Sequence, residues 1–224
     1  MKKEFVNHVF SSVSEKYDFM NDLMSFGLHR TWKNKVISLL EVCNDSMVLD
    51  LASGSGDISR KIKERYKCKC IAVDANMNML EIAKKKVDTA PFYIHGTAEN
   101  LPFKKSIFDY VIVSFGLRNF NDISKSLKQV RRVLKKNGTF ICLEFSEVNN
   151  PIFRRIIKTY FKAIPKLGLI LANNKFAYDY LVESILNFPN QIQFTKKLIQ
   201  AGFKNIKVID IIDGVAAIHI SKKQ

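Results

Sequence analysis

A short apolar run that ends in a glycine-rich turn constrains the fold of this chain more than any other feature. Met47 to Ala52 reads MVLDLA, and Ser53 to Asp57 reads SGSGD before a helical stretch begins. A strand, a glycine turn and a helix in this order begin a βαβ unit. Gly54 and Gly56 allow a close approach of the backbone to a ligand, because they carry no side chain. In such sheets ligands bind beyond the carboxyl ends of the strands, where this turn would lie.

Strand-like and helical stretches alternate through the rest of the chain. Further strand-like runs read CKCIAVD, FYIHG, FDYVIVSF and TFICLEF, and helical stretches such as ISRKIKERY, NMNMLEIAKKKV and ISKSLKQVRRVLKK separate the strands. This alternation predicts a parallel sheet with helices on both faces. Near the C-terminus, FKNIKVIDI and AAIHISK flank Asp213-Gly214, a good hairpin signal. We therefore predict a Rossmann-like α/β fold with a mostly parallel seven-stranded sheet, a C-terminal antiparallel hairpin and a helical cap.

The chain of 224 residues fits one domain. Residues 5–17 have helical apolar spacing, a second helix is expected from about Thr31 to Cys43, and the polar stretch between them is expected to be a loop. The segment from Asn149 to Asn190 is mostly helical, so we interpret it as a cap over the site. The single domain 1–224 is thus divided into an N-terminal helical lid (1–45), a cofactor-binding core (46–148), a helical substrate cap (149–190), and a C-terminal helix and hairpin (191–224).

Cysteine usage and hydropathy exclude several classes of protein. The four cysteines, Cys43, Cys68, Cys70 and Cys142, have no C-x-x-C spacing and no accompanying histidine cluster. We therefore expect neither a disulfide framework nor a metal site. The N-terminus lacks the apolar core of a signal peptide, and no apolar run approaches the roughly 18 residues needed to span a bilayer. A reducing, cytoplasmic location is expected.

The charge balance alone selects no function. Lys and Arg number 36 against 21 Asp and Glu, which gives a formal net charge of +15. Such a surface suits nucleic acid or an anionic membrane face. The lysines are spread along the whole chain, so a Lys-rich proteome would produce the same charge.

An acid before the glycines distinguishes between candidate ligands of the turn. A dinucleotide fingerprint would have a third glycine where Ser59 stands, and a P-loop would open its helix with Gly-Lys. The carboxylate of Asp50 would repel a pyrophosphate but suits a cation, such as the aminoacyl end and sulfonium of S-adenosylmethionine (SAM). The alternative is a tight strand-to-helix turn with a helix-capping aspartate.

The ends of three later strands carry residues that match the same cofactor. Asp74 ends the next strand, where an acid can accept both ribose hydroxyls, and Asn76 close to it is a further candidate contact. The alternative is that Asp74 only caps the helix that begins at Asn76. Thr97 and Ala98 are candidates for the adenine edge, unless their loop is an ordinary turn. Ser114, at the end of the fourth strand, should face the methionine moiety. Together these marks predict a class I SAM-dependent methyltransferase.

Three longer stretches are more specific than the cofactor turn. They are Tyr17 to Trp32 (YDFMNDLMSFGLHRTW), Ser114 to Phe120 (SFGLRNF) and Arg132 to Ser146 (RVLKKNGTFICLEFS). They resemble the N-terminal signature, the loop after strand four and the second signature of the menaquinone and ubiquinone biosynthesis C-methyltransferases. Phe176 to Pro189 resembles the cap region of that family, so the resemblance covers nearly the whole chain.

Departures from the family pattern lie in turns. Lys136-Asn137-Gly138 stands where the family usually has Pro-Gly-Gly, and Ser53 to Gly56 stands where it usually has Gly-Gly-Thr-Gly. Both keep the last glycine, so we expect the activity to be retained. The resemblance implies methylation of a ring carbon in a polyprenylated naphthoquinol or benzoquinol. It also implies cofactor contacts at Ser59, Asp74, Thr97, Ala98 and Ser114.

Arg118 and Asn119 are the leading candidates for work on the methyl acceptor. The methyl group of SAM is already electrophilic, so the enzyme must position a ring carbon and make it electron-rich. Ionisation of a ring hydroxyl does this. Arg118 would stabilise the phenolate or orient a water that takes the proton, since a guanidinium stays protonated in proteins and does not act as a base. Alternatively, Arg118 pairs with a surface acid.

The N-terminal stretch offers further candidates. Tyr17, Asp18 and His29 would lie on a lid that folds over the cofactor and excludes water. His29 has the intrinsic pKa of a general base, although it could instead be a structural hydrogen-bonding residue beside Trp32. Asp18 could cap the following turn.

The predicted cap also carries an expectation about partners. It mixes apolar residues with Arg154, Arg155, Lys158, Lys162 and Lys166. This pattern suits a channel for the prenyl tail with a basic rim against anionic lipid, or a helix with a solvated charged face. The expected partners are a polyprenylated quinol and, through a peripheral contact at the inner face of the membrane, lipid or other quinone-biosynthesis enzymes. A homodimer is compatible with the sequence, and no nucleic-acid partner is expected.

Other functions remain open on the sequence alone. A small-molecule O- or N-methyltransferase would share the cofactor site. An RNA methyltransferase would fit the charge, but Ser114 to Leu117 has neither the [ND]-P-P-[YF] motif of adenine N6 enzymes nor the cysteine nucleophile of cytosine C5 enzymes. A SAM-binding protein without catalysis would keep the same loops.

Overall fold

The computed structural model describes residues 6, 9, 11, 17–86, 92–172 and 174–224. Most of the helix expected over residues 5–17 lies outside this part of the chain. The strands are β1 (Met47–Leu51), β2 (Lys69–Asp74), β3 (Phe92–His95), β4 (Phe108–Ser114), β5 (Leu134–Phe145), β6 (Phe203–Ile211) and β7 (Ala216–Lys223). The α-helices are α1 (Tyr17–Ser25), α2 (His29–Ser38), α3 (Asp57–Arg65), α4 (Met77–Lys85), α5 (Ile123–Val133), α6 (Pro151–Ala172), α7 (Lys175–Leu186) and α8 (Gln191–Gln200), and a 3-10 helix covers Leu117–Asn119.

The described strands form one seven-stranded sheet in the order β3-β2-β1-β4-β5-β7-β6. Strands β1 to β5 pair in parallel, and β7 runs antiparallel to both β5 and β6. The predicted sheet is therefore confirmed. Its strand order reverses at β1, which pairs with β2 on one side and β4 on the other, so a crevice opens beyond the carboxyl ends of these strands.

Alternate residues of the central strands pack on opposite faces of the sheet, because successive side chains in a strand point to opposite sides. Val48 and Ile112 belong to a core cluster that also contains buried side chains of α1, α2, α6 and α7. Leu49 and Val113 belong to a second cluster with buried side chains of α5 and α8. The near-continuous apolar runs in the sequence follow from burial on both faces.

The prediction of a loop between Tyr17 and Trp32 is wrong, because two helices occupy this stretch. Met20 and Met24, one turn apart on α1, are buried in the core, and this contact outweighs the polar composition. The break is confined to Phe26 and Gly27, which both have positive φ. Helix α2 begins at His29 and ends before the expected Cys43.

The C-terminal predictions agree with the structure. Asp213 and Gly214 have positive φ and connect β6 to β7 as a tight hairpin. Helices α6 and α7 occupy the expected helical segment.

In the described part of the chain, no helix is long and apolar enough to cross a membrane. Strand β5 starts at Leu134, earlier than expected, and Lys135 on it forms an ion pair with Asp109.

Candidate active site

A cleft opens at the carboxyl edge of the sheet, where the loops after β1 to β4 meet. It encloses about 740 Å³, counting the open solvent at its mouth. Six of the residues proposed from the sequence line it: Gly54, Asp74, Asn76, Thr97, Ala98 and Asn119. The sheet topology thus brings together the separate motifs of the sequence.

The glycine turn is held from beneath by Asp50. Its side chain is 1% exposed, and its Oδ2 accepts a hydrogen bond from the backbone N–H of Ser59 at 2.9 Å. Ser59 Oγ donates in turn to the carbonyl of Gly56 at 3.1 Å. Gly56 has a φ of 82°, and a Cβ there would lie 3.1 Å from Ala83 Cβ. Asp50, Gly56 and Ser59 therefore shape the turn. They were proposed as direct cofactor contacts, but they are not among the residues that line the cleft.

A buried lysine from α2 compensates for the acids under the turn. Lys33 Nζ lies 2.7 Å from Oδ2 of Asp57, at the first turn of α3. Burial raises the pKa of Asp50 to about 7, and the nearby Lys33 partly opposes this shift. Sequence reasoning missed Lys33, because no local motif places α2 against α3.

Asp74 joins two loops at the cleft wall. Its Oδ2 accepts from the backbone N–H of Gly54 at 2.8 Å, and its Oδ1 accepts from that of Asn76 at 2.8 Å. Burial raises the pKa of this carboxyl, while these backbone N–H groups oppose the shift. A carboxylate has about four acceptor positions, so Asp74 can still accept from the two hydroxyls of a ribose.

The N-terminal segment reaches the cleft through residues that the sequence did not single out. Val6 lines the cleft, and Ser11 Oγ accepts from Nδ2 of Asn76 at 3.0 Å. Asn76 also caps α4 through its Oδ1, which accepts from the N–H of Met79. Tyr17 and Asp18 begin α1, but their side chains lie outside the described residues.

His29 lies away from the cleft. Its ring is 2% exposed, and Nε2 lies 3.0 Å from Oδ1 of Asp22, which Arg30 also contacts. Burial lowers the pKa of His29, and the charge of Lys33 adds to this effect. The geometry is that of a structural hydrogen-bonding residue and not of a base beside the acceptor.

One part of the cleft wall suits a flat, uncharged ring. Leu51, Met79 and Phe120 provide apolar surface around Thr97 and Ala98. The backbone N–H of Gly96 donates to the carbonyl of Asp74 at 2.9 Å, which fixes this loop beside Asp74. An adenine next to a ribose held by Asp74 fits this surface.

Arg118 is buried and points into the protein. Its Nη1 lies 2.5 Å from Oε1 of Glu144 and 2.7 Å from the carbonyl of Phe115, and its Nε donates to Ser184 Oγ at 3.3 Å. The side chains of Arg118 and Glu144 are each 3% exposed. Arg118 therefore pairs with an acid, as the alternative had it, but this acid is buried and not at the surface. Burial raises the pKa of Glu144, and Arg118 opposes this. The guanidinium does not line the cleft, because Glu144 and Ser184 hold it inside.

Asn119, the next residue, does line the cleft. Its Oδ1 accepts a hydrogen bond from the hydroxyl of Tyr180 on α7 at 3.0 Å. Close by, Gly116 has no room for a side chain, because a Cβ there would lie 2.5 Å from Ala52 Cβ. Ser114 is not among the lining residues, and its buried Oγ has no hydrogen-bond partner within the described residues. Sequence reasoning did not single out Glu144, Tyr180 or Ser184, although they lie in the two stretches Arg132 to Ser146 and Phe176 to Pro189 that resemble the family.

Comparisons with known proteins agree with this geometry. A model of the ubiE/COQ5 methyltransferase family matches residues 1–223. The chain is 46% identical to the ubiquinone/menaquinone biosynthesis C-methyltransferase UbiE of Rickettsia bellii, over 99% of this chain and 94% of that protein. It is 45% identical to the protein of the same name from Rickettsia prowazekii, with the same two coverages.

Solved structures show the same fold at low sequence identity. A SAM-dependent methyltransferase from Thermotoga maritima has a TM-score of 0.73 at 20% identity, covering 98% of this chain and 100% of that one. Phosphoethanolamine N-methyltransferase 2 of Haemonchus contortus, solved with SAM, has a TM-score of 0.65 at 14% identity, covering 86% of this chain and 52% of that one. The fold is that of class I SAM-dependent methyltransferases.

Proposed function

This chain belongs to the ubiE/COQ5 methyltransferase family and is a SAM-dependent methyltransferase, and from that premise we propose that it methylates a ring carbon of a polyprenylated quinol. The acceptors are demethylmenaquinol, a 2-polyprenyl-6-methoxy-1,4-benzoquinol, or both. The observation that carries the proposal is the 46% identity over 99% of the chain to relatives named for ubiquinone and menaquinone biosynthesis.

The residues of the cleft suggest a cofactor side, formed by the loops after β1 to β3, and an acceptor side, formed by the turn after β4. Asp74, Asn76, Thr97 and Ala98 would hold the ribose and adenine of SAM, and the turn at Gly54 would receive its aminoacyl end. When bound, SAM supplies an electrophilic methyl group. A flat quinol ring would then lie on the other side, beside Asn119, Gly116 and Phe115, which line the cleft there.

The protein must favour the ionised ring hydroxyl, because ionisation raises the electron density on the neighbouring ring carbon. The amide N–H2 of Asn119 would donate a hydrogen bond to the ring oxygen as charge develops there. Arg118 would act indirectly: its bonds to Glu144 and to the carbonyl of Phe115 fix the turn that presents Asn119. Water in the cleft would take the hydroxyl proton. After methyl transfer, the methylated ring carbon would lose its own proton to water and the ring oxygen would take one up, which restores the aromatic ring.

A panel of acceptors tests the proposal. Purified protein with labelled SAM is offered reduced demethylmenaquinone, the demethylated benzoquinol and bulk tRNA in separate reactions. We expect label in one or both quinols, none in tRNA, and strongly reduced but measurable transfer in Asn119→Ala. Label in tRNA alone would show that the net charge of +15 was the relevant signal and that the proposal is wrong.

We further propose that α6 contacts the anionic inner face of the membrane, where a prenylated acceptor resides. Ile152, Ile156 and Ile170 are exposed on this helix, and Arg155 and Lys162 are exposed among them. Exposed aliphatic groups beside basic ones suit an anionic lipid surface. This would place the enzyme in the cytoplasm, as a peripheral membrane protein.

Two isoleucines with equal exposure allow a matched test of this contact. Ile156 on α6 and Ile199 on α8 are both 59% exposed. We expect Ile156→Glu, but not Ile199→Glu, to reduce co-sedimentation with anionic vesicles. Equal binding of both variants, or no binding of the wild type, would exclude the contact through α6.

A further inference from the structure

The turn that presents Asn119 to the cleft is fixed from the inside. It follows β4, and the backbone N–H of Asn119 bonds to the carbonyl of Gly116 at 3.1 Å. Arg118 in the same turn bonds to Glu144 and Ser184, so its backbone has little freedom. The side chain of Asn119, however, would still be free to rotate and to exchange its amide nitrogen and oxygen.

Tyr180 removes that freedom. Tyr180 lies on α7, and its hydroxyl donates to Oδ1 of Asn119 at 3.0 Å. An asparagine amide has an acceptor oxygen and a donor nitrogen, so a donor that occupies the oxygen determines which end is left for a ligand. Burial raises the pKa of Tyr180, although the nearby charge of Arg118 opposes this shift. Because the pKa is raised, the phenol stays protonated and able to donate.

We propose that Tyr180 is a positioning residue for methyl transfer: by holding the Asn119 oxygen, it leaves the Asn119 N–H2 group to bind the ring oxygen of the acceptor. The inference rests on the proposed quinol acceptor. It makes the cap helix α7 part of the acceptor site, although Tyr180 itself does not touch the reacting atoms.

The neighbouring tyrosine on α7 provides a matched control. Tyr178 is 0% exposed, its ring packs against Gly168 of α6, and its hydroxyl has no hydrogen-bond partner within the described residues. Tyr178→Phe and Tyr180→Phe therefore remove the same atom from the same helix. Only the second removes a hydrogen bond to a residue of the cleft wall.

The test compares kcat, its pH dependence and the Kd for SAM in these variants. We expect Tyr180→Phe to lower kcat about 10-fold. It should also move the acidic limb of the kcat profile to higher pH, since a poorly held donor stabilises the phenolate less. The Kd for SAM should change less than about twofold, and Tyr178→Phe should match the wild type in all three quantities. The double variant Tyr180→Phe/Asn119→Ala should be no slower than Asn119→Ala alone, because Tyr180 acts through Asn119.

Several outcomes would overturn this role of Tyr180. One is equal kcat and pH profiles in the two phenylalanine variants, another is a loss of SAM affinity that matches the loss of kcat, and a third is additive losses in the double variant. Failure of the proposed function is recognised separately, because the wild type itself would then methylate no quinol.

Discussion

The two sides of the cleft differ in how far apart in sequence their interacting residues lie. On the cofactor side, Asp74 is bonded to Gly54 and Asn76, 20 and 2 residues away. On the acceptor side, Arg118 is bonded to Glu144 and Ser184, 26 and 66 residues away, and Asn119 to Tyr180, 61 residues away. Apart from the bond between Asn76 and Ser11, 65 residues apart, the cofactor side is built by the βα units of β1 to β3. The acceptor side joins the end of β4 to β5 and to the cap helix α7. Mutations should therefore separate cofactor binding from alignment of the acceptor.

The largest effect is expected at the buried pair on the acceptor side. Glu144→Ala leaves the guanidinium of Arg118 buried without its carboxylate, which we expect to lower the free energy of unfolding by about 3–5 kcal/mol. Urea unfolding of the variant and the wild type measures this difference. The exposed pair Lys175–Asp179 is the control, and Asp179→Ala there should cost less than about 1 kcal/mol. Equal costs at the two pairs would contradict a structural role for the buried one.

A second large effect is expected at Asp74, the proposed ligand of the ribose. Asp74→Ala removes the acceptor for two ribose hydroxyls and the bonds to Gly54 and Asn76, so we expect the Kd for SAM to rise about 10- to 100-fold. Titration calorimetry with SAM measures it. The kcat at saturating SAM should fall much less than in Asn119→Ala. An unchanged Kd would exclude Asp74 as a cofactor ligand.

The cofactor side was also the side that could be predicted better from the sequence. The alternation of strands and helices predicted the sheet, and short motifs predicted Gly54, Asp74, Thr97 and Ala98 on its carboxyl edge. The sequence did not show that Asp50 and Ser59 lie beneath the turn, because motif and spacing do not say which side of a loop a side chain occupies. Nor did it show the partners of Arg118 and Asn119, because these depend on where β5 and α7 pack.

The N-terminal stretch was misjudged for a related physical reason. Its many polar residues indicated a loop, but the hydrogen bonds that those residues need are formed inside and between two helices. Ser25 Oγ donates to the carbonyl of Asn21 at 2.6 Å, and Asp22 contacts both His29 and Arg30. Burial of Met20 and Met24 then determines the conformation, and composition does not reveal it.

A pH effect of intermediate size is expected beneath the cofactor turn. The pKa of Asp50 is about 7 in the folded protein, against an ordinary value of 3.8. Between these two values the folded state binds a proton that the unfolded state has released, so the contribution of Asp50 to the free energy of unfolding falls as pH rises, by up to about 1.4 kcal/mol per pH unit. Asp50→Asn keeps an acceptor for Ser59 but cannot ionise.

Urea unfolding of both proteins at several pH values isolates this contribution. The stability of the wild type relative to Asp50→Asn should fall from pH 4 to pH 7 and stay level above it. Parallel curves for the two proteins would show that Asp50 does not carry the raised pKa.

The smallest effect on catalysis is expected at His29. Because its ring is buried against Asp22 and lies away from the cleft, His29→Gln should change kcat less than about twofold while it costs roughly 1 kcal/mol of stability. Steady-state turnover and thermal unfolding of the same preparation measure both. A large loss of kcat with unchanged stability would restore His29 as a general base.

The position of the transferred methyl group distinguishes methylation of a ring carbon from methylation of a ring oxygen. The protein is incubated with SAM labelled with carbon-13 in its methyl group and with the reduced quinol, and the product is examined by NMR. We expect a labelled methyl bonded to a ring carbon that has lost its proton, with both ring hydroxyls free. A labelled methyl on oxygen would show an O-methyltransferase that shares the fold and the cofactor side, and would contradict the proposed acceptor chemistry.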